Sequence, residues 1–164
     1  MSQEVLSDLK IAEEVYACLM RRRLLRRMLT AKDRWAGVHP RLEAKVRIVM
    51  LDMESRSLPM MVTDGLRTTA EQRELYALGR TKPGRVVTNV DGVKKRSNHQ
   101  AKADRYGHAV DLTFINKATG APFWPSGGNW DRRWKVFGKL IEAQGLTWGG
   151  SWKTLIDRPH VELR

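Results

Sequence analysis

The sequence of 164 residues has a single cysteine, Cys18, so no disulfide can form within the chain. It contains no apolar run near the roughly eighteen residues that a transmembrane helix needs, so we expect no membrane span. Its first residues include Glu4 and Asp8 in place of the basic leader of a signal peptide. These absences predict a protein that folds in a reducing cytoplasm without a secretion signal.

Positive charge is concentrated in two blocks of a chain whose net charge is +12. Residues 21–35 hold seven Lys or Arg and one Asp, and residues 80–105 hold eight Lys or Arg and two Asp. The rest of the chain is neutral. Local blocks of this kind indicate an anionic partner, such as nucleic acid, anionic lipid or bacterial cell wall.

The first basic block falls in a segment with helical spacing of apolar residues, residues 4–31. We therefore predict two parts, a basic helical extension at 1–35 and a single domain at 36–164. The extension either packs on the domain as a solvated helix or lies on an anionic membrane surface.

The remaining pattern predicts an α+β fold, with a small antiparallel sheet packed against helices. Helices are expected from Pro40 to about residue 55, from a Thr68–Glu71 capping box to Gly79, and from an Asp131 cap to Gly145. Strands are expected at 58–64, 110–114, 146–148 and 159–163, with a hairpin turn at Asp91-Gly92.

Four histidines are present, and His39 is explained by a position just before the helix at Pro40. Zinc binds imidazole and carboxylate groups tetrahedrally, and a catalytic site leaves one position for water. His108 and Asp111 are three residues apart on a predicted strand, so their side chains should point to opposite faces. His99 lies in a loop that can return toward Asp111.

His160 and Glu162 should share one face of the last strand, opposite Val161. Geometry therefore favours His99, Asp111 and His160 as a ligand set, with His108 in reserve.

Several motifs occur in an order that resembles the zinc-dependent D-Ala-D-Ala carboxypeptidases and L-alanyl-D-glutamate endopeptidases of the VanY and VanX kind, which include many phage endolysins. The family pattern of Ser-x-His, Gly-x-Ala-x-Asp and acidic-x-x-His is matched by Ser97–His99, Gly107–Asp111 and Asp157–His160. Asp64–Thr68 is similar to a Gly-Tyr-Arg-Ser segment of the family, and Trp148–Trp152 resembles the phage branch. The likeness covers about residues 37–164 and implies a Hedgehog/D,D-peptidase-like fold.

The resemblance implies one Zn²⁺ per chain held by His99, Asp111 and His160. It makes Asp157 the general base, with Glu162 as an alternative, and Arg67 the group that stabilises the oxyanion. Ser97 and Trp148 are the implied substrate-binding residues. One departure is the interval of twelve residues from His99 to Asp111, longer than in most members, which we interpret as a loop excursion.

The function expected from this resemblance is that of a phage-type endolysin that cuts the L-Ala–D-Glu bond of the peptidoglycan stem peptide. A D-Ala-D-Ala carboxypeptidase is the alternative, and a non-enzymatic nucleic-acid-binding protein is a further one. Nucleic acid is not expected as a partner, because no zinc-finger spacing or RNA-recognition signature accompanies the charge. We expect a monomer made in the host cytoplasm that acts on the cell wall in the periplasm after release, with the basic helix contacting an anionic outer membrane.

Overall fold

A computed structural model describes residues 33–164, of which Arg34–Arg164 form one compact unit. The predicted basic helix at 4–31 lies outside the described residues. The helices are α1 (Pro40–Ser55), α2 (Thr69–Ala77) and α3 (Asn129–Ala143), and the strands are β1 (Met60–Asp64), β2 (Ala109–Ile115), β3 (Pro122–Phe123), β4 (Thr147–Trp148) and β5 (His160–Glu162). A 3-10 turn, Gly149–Ser151, follows β4. The α+β prediction is confirmed.

The start of each early helix follows from its sequence. Pro40 occupies the first turn of α1, where a missing N–H costs nothing, and the His39 Nδ1 atom accepts a hydrogen bond from the backbone N–H of Arg41. Thr68 and Glu71 form the predicted capping box at α2, which satisfies two backbone donors reciprocally.

All strand pairs of the sheet in the described residues are antiparallel, in the order β1-β2-β5-β4, with β3 paired to the distal half of β2. Asp111 of β2 stands opposite His160 of β5 and, across a bulge, opposite Asp64 of β1. Three motifs that are distant in sequence therefore meet at one row of the sheet.

The core lies between this sheet and the helices α1 and α3. Its side chains follow the helical and strand periods: Leu42, Val46, Val49 and Met53 from α1, Trp134, Phe137 and Ile141 from α3, and Val110, Leu112, Phe114 and Val161 from the sheet. This packing holds β2 and β5, the strands that carry Asp111 and His160, in place against the helices. None of the helices in residues 33–164 is long and apolar enough to cross a membrane.

Two local predictions were wrong. Residues 86–93 form no hairpin, because the Asp91 carboxylate accepts hydrogen bonds from the backbone N–H groups of Val93 and Lys95 and closes a local turn without paired strands. Asp131 does not cap α3, which begins two residues earlier behind Gly128 and has no side-chain cap.

Candidate metal centre

Three ligand atoms form a nearly equilateral triangle between β2, β5 and the loop before β2. The His99 Nε2 and Asp111 Oδ1 atoms are 3.3 Å apart, His160 Nδ1 and Asp111 Oδ1 are 3.2 Å apart, and the two imidazole nitrogens are 3.3 Å apart. Ligand bonds of about 2.0–2.1 Å at tetrahedral angles place neighbouring ligand atoms about 3.3 Å apart. The triangle therefore has the size of one face of a zinc tetrahedron.

The second nitrogen of each imidazole has an acceptor of its own. His99 Nδ1 lies 2.8 Å from the carbonyl oxygen of Gly65, and His160 Nε2 lies 3.2 Å from Glu162 Oε2. A ring that donates its outer N–H to such an acceptor keeps a lone pair on its inner nitrogen. Both rings are buried, so these contacts hold their inner nitrogens toward Asp111.

Electrostatics at the triangle favour positive charge. Burial by itself would raise the pKa of Asp111, but His99 and His160 lower that pKa well below its ordinary value. Burial opposes the charged form of His160, yet hydrogen bonds to Asp111 and Glu162 raise its pKa to about 9. The two carboxylates thus stabilise a proton or a cation at this buried position.

Glu162 is held from three sides. Its Oε2 accepts a hydrogen bond of 2.6 Å from the Asn98 side chain and contacts His160, and its Oε1 accepts one of 2.7 Å from Arg164 Nε. Burial raises the pKa of Glu162, but these hydrogen bonds lower it to about 2. Glu162 contacts the outer nitrogen of His160, so it supports the ligand triangle from outside.

Asp157 approaches the triangle on the segment that precedes β5. Burial raises the pKa of its carboxyl group, the charge of Asp111 adds to the rise, and His160, His99 and Arg67 oppose it. A Cβ at Gly149 would lie 2.5 Å from the carbonyl oxygen of Asp157. Only glycine at that position lets the two segments come this close.

Arg67 joins the end of β1 to the triangle. Its Nη2 donates to Asp64 Oδ2 at 2.6 Å, its Nη1 donates to Gln72 Oε1 at 2.7 Å, and Nη2 also lies 3.4 Å from Asp111 Oδ2. That last oxygen is the one not turned toward His99. The guanidinium therefore orients Asp111 while it stays next to the ligand triangle.

The two residues predicted to bind substrate lie in different environments. Ser97 Oγ accepts a hydrogen bond from the backbone N–H of His99, so it shapes the turn that presents this ring. Trp148 belongs to the core: its indole packs against Gly138 and donates to the carbonyl oxygen of Arg158 at 2.7 Å. Trp148 is thus 8% exposed and part of the core, and its contact with substrate stays a prediction.

Trp152, which the sequence argument did not single out, packs its ring 4.9 Å from that of His160. It ends the same Trp148–Trp152 segment that carried the family resemblance, so the sequence signal pointed to this segment. Asn98 was also missed, because its contact with Glu162 joins residues 64 positions apart and leaves no local pattern.

His108, the reserve ligand, points away from the triangle. Its Nε2 lies 2.7 Å from Asp104 Oδ2, and its ring stacks edge-on with His39 at 4.9 Å. The excursion between His99 and Asp111 thus creates a second cluster, as the opposite faces of a strand require.

The chain is similar to several known proteins. A family model described as D-alanyl-D-alanine carboxypeptidase matches residues 91–163. The peptidoglycan L-alanyl-D-glutamate endopeptidase CwlK of Bacillus subtilis is 30% identical over 132 residues, which cover 78% of this chain and 74% of CwlK. The structure of the Serratia marcescens L-Ala D-Glu endopeptidase ChiX aligns with a TM-score of 0.54 at 28% identity, over 82% of this chain and 86% of ChiX. The LD-carboxypeptidase LdcB aligns with a TM-score of 0.52 at 14% identity, over 77% of this chain and 65% of LdcB, a likeness of fold alone.

Proposed function

The chain belongs to the D-alanyl-D-alanine carboxypeptidase family of zinc peptidases, and on that premise we propose that it cleaves the L-Ala–D-Glu bond of peptidoglycan stem peptides. The observation that carries the proposal is the triangle of His99, Asp111 and His160 beside Asp157. The choice of bond is supported by CwlK and ChiX, which are both named for it.

Zinc fits the donor set. Two imidazoles and one carboxylate suit this metal, and the spacing of the three atoms matches a tetrahedral face. The outer nitrogen of each ring faces an acceptor, so the inner nitrogen is free to bind a metal once it has lost its proton. When bound, zinc supplies a Lewis acid that polarises the substrate carbonyl and makes water more acidic. One ion per chain would occupy this triangle.

Asp157 is assigned the general base. Its carboxylate takes a proton from the attacking water and returns it to the amine that leaves. Glu162 is less suited to this task, because Asn98, Arg164 and His160 already engage its two oxygens on the outer side of the ligand triangle.

Arg67 is assigned two tasks. It keeps Asp111 oriented through the oxygen that faces away from His99, and it offers positive charge where the carbonyl oxygen becomes negative in the transition state. The side chain is held by Asp64 and Gln72, so this charge is positioned before the substrate arrives.

A direct test is digestion of purified sacculi followed by mass spectrometry of the products. Cleavage at L-Ala–D-Glu releases peptides that begin with D-Glu and leaves L-Ala on the glycan. Release of terminal D-Ala alone would instead support a D-Ala-D-Ala carboxypeptidase, the activity in the name of the matching family model. The variant Asp157→Asn serves as the matched control for contaminating hydrolases.

We further propose that the protein is a phage-type endolysin, made in the host cytoplasm and acting in the periplasm, whose basic N-terminal block contacts an anionic outer membrane. Five of the seven basic residues of that block are Arg21, Arg22, Arg23, Arg26 and Arg27. Replacing all five with glutamine should spare digestion of isolated sacculi and reduce lysis of intact Gram-negative cells. Equal loss in both assays would contradict the membrane role.

A further inference from the structure

We propose that His39, Asp104 and His108 form a second metal site, which binds a divalent transition-metal cation such as Zn²⁺. One ligand atom from each of these side chains lies within 4.8 Å of the other two. Asp104 Oδ2 is 2.7 Å from His108 Nε2 and 3.8 Å from His39 Nε2. None of the three belongs to the triangle described above, so this proposal does not depend on the proposed function.

The donor set decides the class of cation. Two imidazoles and one carboxylate suit Zn²⁺, Co²⁺ and Ni²⁺, whereas Ca²⁺ and Mg²⁺ prefer sites made of oxygen atoms. The side chains of His39, Asp104 and His108 are 26%, 40% and 17% exposed. An ion can therefore reach the cluster from solvent and keep water in its remaining coordination positions.

The backbone holds the cluster in place. His39 N–H donates to the carbonyl oxygen of Gly107, and Gly107 N–H donates to that of Gly37, so the segment before α1 is paired with the segment before β2. Asp104 Oδ1 accepts a hydrogen bond from the backbone N–H of Tyr106. This contact turns the other oxygen, Oδ2, toward both imidazoles.

A proton occupies the place that a cation would take. The distance of 2.7 Å between His108 Nε2 and Asp104 Oδ2 is that of a hydrogen bond. Two ligands of one zinc ion lie about 3.3 Å apart, so binding requires this pair to separate by roughly half an ångström. Asp104 sits on an exposed turn, where such a shift is small.

His39 must also change its tautomer. Its Nδ1 accepts a hydrogen bond from the N–H of Arg41, which leaves the ring proton on Nε2 in the neutral form. Coordination through Nε2 moves this proton to Nδ1 and releases the Arg41 N–H. That N–H is exposed, so water replaces the lost acceptor.

A bound cation would also act as a clamp between two backbone segments. His39 lies at the start of α1 and Asp104 lies in the loop between His99 and Asp111, so a cation bound by both would cross-link that loop to the helix. The excursion connects two residues of the first triangle, so the clamp would restrict how far His99 can move from Asp111.

The experiment counts metal ions in a two-by-two set of full-length variants. Metal-free protein is titrated with Zn²⁺ against a chromophoric chelator, and bound zinc is measured by elemental analysis after gel filtration. We expect two ions in the wild type, one in His108→Gln, one in His160→Ala and none in the double variant. Zinc should also raise the Tm of His160→Ala, in which only the second site remains.

Two further variants separate binding from folding. His39→Asn removes the imidazole but keeps a side-chain acceptor for the helix start, and Asp104→Asn changes charge without changing shape. Both should lose the second ion and keep the first, while Asp52→Asn on the surface of α1 should keep both ions. A second ion that persists in His108→Gln, or a wild type that binds one ion lost only in His160→Ala, would overturn the proposal. Loss of zinc in His108→Gln but not in His160→Ala would refute the first site instead.

Discussion

Asn98 donates a hydrogen bond of 2.6 Å to Glu162 Oε2, the same oxygen that lies 3.2 Å from His160 Nε2. The contact connects the turn that presents His99 to the strand that presents His160. Glu162 therefore connects the backbone turn that carries His99 to the imidazole of His160, while the His99 ring itself contacts the carbonyl oxygen of Gly65.

Glu162→Gln should weaken zinc binding about 10- to 100-fold, because a neutral amide no longer strengthens the basicity of His160. Competition with a chelator measures the affinity. Glu142→Gln, on the exposed surface of α3, is the matched control and should leave affinity unchanged. If Glu162→Gln instead abolished kcat at full zinc occupancy, Glu162 and not Asp157 would be the base.

Asp157→Asn should keep zinc and lower kcat by about 10²- to 10⁴-fold, since an amide cannot accept the proton of the attacking water. Steady-state kinetics on a stem peptide, combined with metal analysis of the same sample, checks both parts. A variant that loses zinc together with activity would make Asp157 a ligand.

Removal of metal with a chelator should abolish hydrolysis, and added Zn²⁺ should restore it. His160→Ala should stay inactive after the same treatment, because the triangle then lacks one of its ligands. Recovery of the wild type with Ca²⁺ or Mg²⁺ alone would contradict a site built from imidazole nitrogens.

The sequence alone predicts those features of the fold and site that depend on residues close together in the chain. The capping box at Thr68, the proline start of α1 and the alternation of His160, Val161 and Glu162 are local, and the structure has all of them. The grouping of His99, Asp111 and His160 was predicted from motif order and from strand geometry, which fixes the faces on which Asp111 and His160 lie.

What the sequence could not give depends on contacts between distant segments. The burial of Trp148, for example, depends on the close approach of Gly138 on α3, which no local pattern indicates. Asp104 belongs to no recognisable motif. It becomes a candidate ligand only because the fold brings His39 close to the loop between His99 and Asp111. Burial and contacts between distant segments are properties of the folded chain.

Arg67→Lys should lower kcat roughly 10²-fold or more with a smaller effect on KM, although the charge is kept. A lysine ammonium cannot form the forked contacts by which Arg67 binds Asp64 and Gln72 while it faces Asp111. Kinetics at saturating zinc measure the loss. Arg73→Lys on the exposed side of α2 is the control, and equal activity of both variants would refute a positioned guanidinium.

Gly138→Ala should destabilise the protein, although alanine is the better helix former by about 1 kcal/mol. A Cβ at Gly138 would lie 2.1 Å from the indole of Trp148, and overpacking of this kind costs about 1–3 kcal/mol. The ring cannot simply step aside, because its Nε1 donates to the carbonyl oxygen of Arg158. Displacement of Arg158 would also disturb His160 two residues later, so kcat should fall along with a Tm decrease of about 2–4 °C per kcal/mol. Lys139→Ala, an exposed neighbour on the same helix, should leave both unchanged, and a Gly138→Ala protein as stable as the wild type would show that the contact can relax.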